Sequence, residues 1–405
     1  MNSDSPRPSV PASAALYIAV VQCLFVTTWT VYAVYLPQLL ESAGLPRAWA
    51  PWILLLDQLV FLAADIATGV FADRVQRTLG RIGPWIVGAT ALSCLAFLLL
   101  PLAARSGSAA SGGMLALTLV WTLSSSALRA PPWVLLGRYA ARPALPWLNA
   151  LTLLGLAAGS AVAPYLGVLL KGVYPRLPFA LSSLTLLATT VGLVQVERAL
   201  ARRRSAPLPA EITQIPRVGG AGHAAWMLGV LLLAAAYQAQ VFVNAAPHYL
   251  RFAAPSALEW LLPLFWVGFG VAMLPGAALC RVFGALPTMA ASALCGAAAA
   301  LASAAAVSLP WLVAAQLAAG AAWGGMLLAM FASAAERGRS GREGLALGTM
   351  FAMLALATLL RIGAVLAGVQ ADATRAAALA WMPAALWGAG GVLVALLARR
   401  SARPD

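Results

Sequence analysis

The sequence predicts an all-α membrane protein with twelve transmembrane helices arranged as two six-helix halves. Three observations carry this. Of the 405 residues, 62% are hydrophobic and only 9% charged, whereas a soluble domain of this size carries roughly a quarter of its residues charged. The apolar residues fall into twelve runs, each near or above the roughly 20 residues that a bilayer core requires. The one sizeable polar segment, 199–222, leaves six runs on either side.

The runs lie at 13–40, 50–72, 84–104, 112–138, 147–170, 177–198, 224–250, 257–280, 285–307, 309–335, 344–369 and 374–398. Ahead of them, Met1 to Ser13 is polar and rich in Pro and Ser. The apolar stretch that follows is too long for a signal-peptide core and reads as a retained first span. An even number of spans puts both termini on one side. With tails and even-numbered loops inside, 18 basic residues face the cytoplasm: Arg7, Arg74, Arg77, Arg81, Arg138, Arg142, Arg198, Arg202, Arg203, Arg204, Arg217, Arg281, Arg337, Arg339, Arg342, Arg399, Arg400 and Arg403. Six face outward: Arg47, Arg105, Lys171, Arg176, Arg251 and Arg375. Basic loops stay inside, so this asymmetry sets the expected orientation, with both termini cytoplasmic in a bacterial inner membrane. The net charge of +14 is therefore a topology signal spread over short loops, and no nucleic-acid partner is expected.

The expected organisation is a cytoplasmic tail (1–12), a first half (13–198), a cytoplasmic linker (199–222), a second half (223–400) and a tail (401–405). The linker holds Arg202-Arg203-Arg204, three prolines and Gly219-Gly220, a composition that suits a flexible connection. The halves echo each other. Gly69-Val-Phe-Ala-Asp73-Arg74-Val75 recurs 207 residues later as Gly276-Ala-Ala-Leu-Cys280-Arg281-Val282, at the equivalent junction of spans eight and nine. Parallel halves related about the membrane normal are a transporter architecture. Cys280 replaces the acid, so the second copy is expected to lack any gating role.

The densest charge cluster runs from Asp65 to Trp85. Here Asp73 and Arg74, Arg77 and Arg81 are expected to form a short loop, with Gly69 and Gly80 permitting close approach and a turn. Gly-x-x-x-Asp-Arg followed by Gly-Arg resembles the loop between spans two and three of the major facilitator superfamily. The longer spacing to Gly80-Arg81, closed by Pro84, resembles the glycoside–pentoside–hexuronide symporters and the related sucrose transporters. The resemblance implies the major facilitator fold and secondary transport by alternating access. It also implies that span two abuts span eleven, aiming Asp73 at the helix N-terminus near Gly344. Gly69, Asp73, Arg74, Arg77, Gly80 and Arg81 would then form a cytoplasmic gate, with Glu336 and Glu343 available to Arg77 or Arg81. The plainer alternative is a loop that sets topology alone.

Four charges fall inside spans: Asp57 and Asp65 in span two, Arg129 in span four and Arg361 in span eleven. Each costs on the order of 3 kcal/mol at mid-bilayer, so each needs a partner or a task. Depth along the helices, at about 1.5 Å per residue, pairs Asp65 with Arg129 and Asp57 with Arg361. These are either static ion pairs or a carboxylate that alternates between arginine and a proton or substrate. Arg129-Ala-Pro131-Pro132-Trp133 extends the resemblance, because sodium-coupled glycoside symporters carry an acid-x-Pro-x-Trp segment here. In them, acids on spans two and four form the cation site. Asp65 matches the first, while Arg129 stands where the second would be and repels sodium, which implies proton coupling or uniport. Gly159-Ser-Ala-Val-Ala163-Pro164-Tyr-Leu-Gly167 resembles a span-five segment of proton-driven drug antiporters. Small residues at that spacing also simply let helices pack.

In this superfamily spans one, four, seven and ten line the cavity. Their candidates are Gln22, Trp29, Tyr32, Trp121, Gln238, Asn244, Gln316 and Trp323. Amides would bind hydroxyls and aromatic faces would stack on pyranose rings; singly, each aromatic also fits a packing role. The leading expectation is a proton-coupled secondary transporter of a small polar organic solute, of the sugar or glycoside class. A drug/proton antiporter exporting amphipathic compounds is the alternative, and a non-transporting receptor or lipid scramblase is one of another class. No Ser/His/Asp elbow, metal-ligand set or phosphate loop is present, so no enzyme, cofactor or metal is expected. A monomer in the bilayer is expected, its partners being a small-molecule substrate and the proton.

Overall fold

The computed structural model describes residues 11–104, 108–139, 144–203, 220–338 and 341–401. Most of the expected linker and both extreme tails lie outside them, as do Arg7, Arg105, Arg142, Arg204, Arg217, Arg339 and Arg403 of the charge count. Among the described residues twelve helices are long and apolar enough to span a membrane: Ala12–Ser42, Arg47–Leu79, Gly83–Ala103, Ala110–Gly137, Leu145–Leu169, Arg176–Arg202, Ala221–Leu250, Pro255–Phe283, Ala285–Ala304, Leu309–Arg337, Glu343–Leu366 and Thr374–Ser401. They are called spans 1 to 12 below. Among the described residues no strand occurs. Leu59, Leu95, Leu184 and Val271 are each at least half exposed on the bundle surface, where lipid rather than water would cover them.

The largest departure from expectation is span 2. Its hydropathy falls at about residue 72, yet the helix continues to Leu79, so Asp73, Arg74 and Arg77 are helical and only 80–82 turn. Hydropathy marks where lipid ends, whereas a hydrogen-bonded helix continues into water until its backbone is stopped. Gly80 does so at φ 70°, in the left-handed region, with its N–H on the Gln76 carbonyl. Pro84 then opens span 3, where its missing N–H costs nothing. Because span 2 is unbroken here, Gly69 and Asp73, four residues apart, share one face.

Span 4 is interrupted. After Ser125 it tightens into a 3-10 turn, Ser126–Leu128, breaks at Arg129 (φ −87°, ψ −81°) and restarts as Pro131–Tyr139. Pro132 has no N–H to give the Leu128 carbonyl. The Gln22 amide donates to it instead, at 3.0 Å from span 1. Span 7 contains a π-helical segment, Ala239–Asn244, from which Gln240 reaches Ser303 Oγ and Gln316 Oε1, each at 3.2 Å. Ser303 Oγ is also 3.5 Å from His248 Nδ1. Gln316 is thereby buried inside the second half.

Close packing rests on small residues at crossings, as expected where lipid supplies no hydrophobic force between helices. Within the first half, span 5 lies on span 1 with Gly155 against the Ala19 carbonyl. Within the second, spans 8 and 10 meet through Gly268 and Gly320. Between the halves, span 2 packs on span 11 and span 5 on span 8. At the first of these crossings a Cβ on Gly69 would collide with the Gly344 carbonyl, one on Gly344 with the Gly69 carbonyl, and one on Gly348 with the Asp65 carbonyl. This contact brings Asp73 to the start of span 11.

Candidate transport cavity and gate

A cavity of about 340 Å³ lies between the halves. Gln22 and Trp29 (span 1), Gln58 and Phe61 (span 2) and Arg129 and Trp133 (span 4) line one side. Gln238 (span 7), Trp266 (span 8), Trp323 (span 10) and Thr358 and Arg361 (span 11) line the other. Toward the Asp73 end it is floored by Trp133 stacked on Phe331 at 3.8 Å, with Phe351 edge-on to Phe331 at 5.6 Å.

Asp65 is fully buried, and Arg129 Nε donates to its Oδ2 at 3.0 Å. The second oxygen of Asp65 has no partner among the described residues. The guanidinium lies over Phe61 at 4.4 Å and over Phe351 at 5.2 Å. Arg129 therefore covers the acid from the cavity and rests on one ring from each half.

The expected Asp57–Arg361 pair does not form. Asp57 is also fully buried, and its two oxygens accept from Tyr32 Oη at 2.9 Å and Thr122 Oγ1 at 2.7 Å. Depth along a helix matched the two charges, but azimuth separates them: Asp57 points into spans 1 and 4, while its neighbour Gln58, about 100° round the helix, lines the cavity. Arg361 Nε instead donates to Gln238 Oε1 at 2.9 Å, and Gln238 Nε2 donates to Thr358 Oγ1 at 2.9 Å. Its guanidinium also lies 5.0 Å from the centre of the Phe242 ring.

Of the cavity candidates, Gln22, Trp29, Gln238 and Trp323 line it, and Trp323 stacks on Tyr237 at 4.4 Å. The others lie elsewhere. Tyr32 is spent on Asp57, and Trp121 is buried among Trp29, Tyr32 and Phe97. Asn244 donates to the Leu379 carbonyl at 2.8 Å, and Gln316 belongs to the Gln240–Ser303 cluster. Sequence reasoning missed Gln58, Phe61, Tyr237, Trp266 and Thr358. Gln58 and Thr358 were signalled only by lying one and three residues from an intramembrane charge. Gly159 of the span-5 segment abuts the Cys23 carbonyl and Val26, which is a packing role.

At the candidate gate, the Asp73 oxygens accept from the backbone N–H groups of Gly344 (2.7 Å) and Leu345 (2.9 Å), the first turn of span 11. Asp73 is only 4% exposed. Arg77 and Arg342 lie within Coulombic range of it. Arg74, Arg77 and Arg81 are themselves exposed, and Arg81 shares a basic depression with Arg198 and Arg202. Glu343 opens span 11, and Glu336 lies within Coulombic range of Arg337 and Cys280. A second carboxylate does comparable work inside the first half: Glu197 of span 6 accepts from Ile82 N and Gly83 N at 2.9 and 2.8 Å, capping span 3. Among the described residues no group of three His, Cys, Asp or Glu could hold a metal ion, and all four cysteines are free thiols.

Two six-helix halves around a central cavity, with spans 2 and 5 of one packed on spans 11 and 8 of the other, define the major facilitator fold. No protein-family model and no curated protein matches the chain. Solved structures do. A bacterial homologue of the iron transporter ferroportin, in an outward-facing state, superposes with a TM-score of 0.72 at 15% identity over 96% of this chain and 100% of its own. The human organic anion transporter MFSD10 (TETRAN) gives 0.70 at 16% identity, covering 95% and 99%. FucP, a major facilitator superfamily transporter in the outward conformation, gives 0.64 at 15% identity, covering 97% and 99%. At such identities the likeness is one of fold.

Proposed function

We propose that the protein is a secondary transporter that carries a small organic solute through the central cavity by alternating access, with proton coupling at Asp65–Arg129. One observation carries the reading. Arg129, which covers the buried Asp65, is seated on Phe61 of one half and Phe351 of the other. Rocking that parts span 2 from span 11 withdraws Phe351 and frees the arginine to leave the acid, which then takes a proton. Asp73 on the N-terminus of span 11 holds the same two helices together, so gate and coupling pair move with one interface. By the charge asymmetry of the loops, the gate faces the cytoplasm of a bacterial inner membrane, both termini lie on that side, and a monomer suffices.

The Gln22 side-chain carbonyl oxygen and the Gln58 amide, lining the cavity with Trp29 and Trp323, suit a ring-shaped polar solute of the sugar or glycoside class. The further aromatic lining, Phe61, Trp133, Tyr237 and Trp266, favours a second reading, export of amphipathic compounds. The cargoes named for the similar structures, iron and an organic anion, differ from each other, so the fold does not choose. The test is uptake into proteoliposomes of a panel of sugars, glycosides and amphipathic compounds, with and without an imposed pH gradient. Saturable uptake that the gradient accelerates is expected. No uptake across the panel would sink the transport reading, and gradient-insensitive uptake would sink the coupling. An activity reporter fused after Pro216 that works only in the periplasm would overturn the orientation.

A further inference from the structure

We propose that the solute carries a carboxylate and that Arg361 is its anchor. This rests on the cavity being the transport site, as proposed above. Arg361 lies five residues before the Leu366 end of span 11 and lines both the central cavity and a smaller apolar pocket of about 200 Å³ between spans 7, 11 and 12. The buried ion pair beside the cavity is Arg129–Asp65, and among the described residues no carboxylate lies within ion-pair distance of Arg361. The charge of Arg361 therefore meets no carboxylate, and the acid at matching depth, Asp57, is occupied by Tyr32 and Thr122. An unpaired cation inside an apolar span is expensive to keep and points to a task.

The side chain is held for one. Gln238 accepts from its Nε and is itself fixed through Thr358, so both ends of that amide are engaged and Gln238 acts as a positioning residue. The terminal guanidinium nitrogens of Arg361 donate to no protein acceptor among the described residues, and they are not sealed from the cavities that the residue lines. A planar fork presented this way suits the two oxygens of a carboxylate. Charge balance agrees. Arg129 is neutralised by Asp65 behind it, so the lining presents one uncompensated positive charge, which a monoanion cancels and a neutral solute leaves standing. Trp29, Trp266 and Trp323 line the cavity and supply aromatic surface for the rest of the solute, and the cavity volume lies at the small end of ligand pockets. The solute class is a compact carboxylate with a ring body.

The test measures equilibrium binding to the full chain in nanodiscs, using benzoate, 1-naphthoate and indole-3-carboxylate, each against its neutral amide. At least one carboxylate is expected to bind well above its amide. Arg361→Gln should weaken that carboxylate about 100-fold, the loss of a bidentate charge-assisted contact, while changing the amide less than about threefold. Arg361→Lys should recover part of the loss, and Gln238→Leu should weaken the carboxylate selectively with the arginine still present, which covers the case in which Arg361→Gln fails to fold. Equal binding of acid and amide, no binding by any carboxylate, or an undiminished preference in a folded Arg361→Gln would each overturn the anchor. Uptake of a neutral sugar with no carboxylate preference would also remove the anchor and leave transport intact. Selective carboxylate binding without uptake by proteoliposomes would support the anchor and remove the transport reading.

Discussion

Replacing Asp73 by Asn tests the gate. The carboxylate accepts from Gly344 N and Leu345 N at 2.7 and 2.9 Å while almost wholly buried, so solvent screens it little. A hydrogen bond to a charged group contributes about 1.5–3 kcal/mol, and the dipole of the span 11 N-terminus adds about 0.3–1 kcal/mol for a negative charge. Asparagine keeps one acceptor, loses the charge, and turns an NH₂ toward one of the two N–H groups. The closed arrangement at this face should therefore weaken by about 2–4 kcal/mol, or about 30- to 700-fold in the equilibrium between closed and open. The backbone donors remain at the interface without a partner only while it is closed, so the whole penalty falls on that state. Spin labels at Thr78 and Val282, both exposed at this end of the two halves, report the separation once the four native cysteines are replaced by alanine. The mutant should populate a longer distance and turn over more slowly. An unchanged distance distribution together with normal transport would refute the reasoning and leave Asp73 and its arginines as a topology signal.

Three further outcomes follow from contacts elsewhere. Gly69→Ala drives a Cβ into the Gly344 carbonyl and should open the same label distance even though Asp73 is retained; an unaffected distance would show that the crossing tolerates the methyl group. Gln22→Leu leaves the Leu128 carbonyl unpaired at the span 4 break and should lower stability by about 1–3 kcal/mol. In a Pro132→Ala background that penalty should shrink, because the restored backbone N–H supplies the donor; thermal unfolding of the four-member cycle reads the coupling, and additivity would argue against it. Glu197→Ala strands the N–H groups of Ile82 and Gly83 and should lower the melting temperature, yet leave the Thr78–Val282 distance unchanged, since both partners sit within one half.

The twelve spans were legible because a bilayer imposes a length and a composition that a sequence cannot hide. Hydropathy placed the helix end of span 2 badly, since the stop signal was the left-handed Gly80 and not the first arginine. Depth is simple arithmetic along a rigid helix, and it brought Asp65 to Arg129. The same arithmetic failed for Asp57 and Arg361 because it carries no azimuth: one residue of rotation separates Asp57, facing Tyr32 and Thr122, from cavity-lining Gln58. Polar residues such as Gln316 and Asn244 could not be assigned from their spans alone, because a buried amide serves a neighbouring carbonyl or hydroxyl as readily as a solute. The glycines of the span 2–11 crossing read only as permissive. Their reason, two backbones in mutual contact, needs the partner helix to be known.

The coupling claim is tested most directly by Asp65→Asn in proteoliposomes, comparing accumulation driven by an imposed pH gradient with solute exchange at equilibrium. Accumulation should be abolished while exchange persists, because the cavity and the rocking interface remain and the protonatable group next to Arg129 is gone. Gradient-driven accumulation equal to that of the unmodified protein would contradict it and move the coupling site away from Asp65.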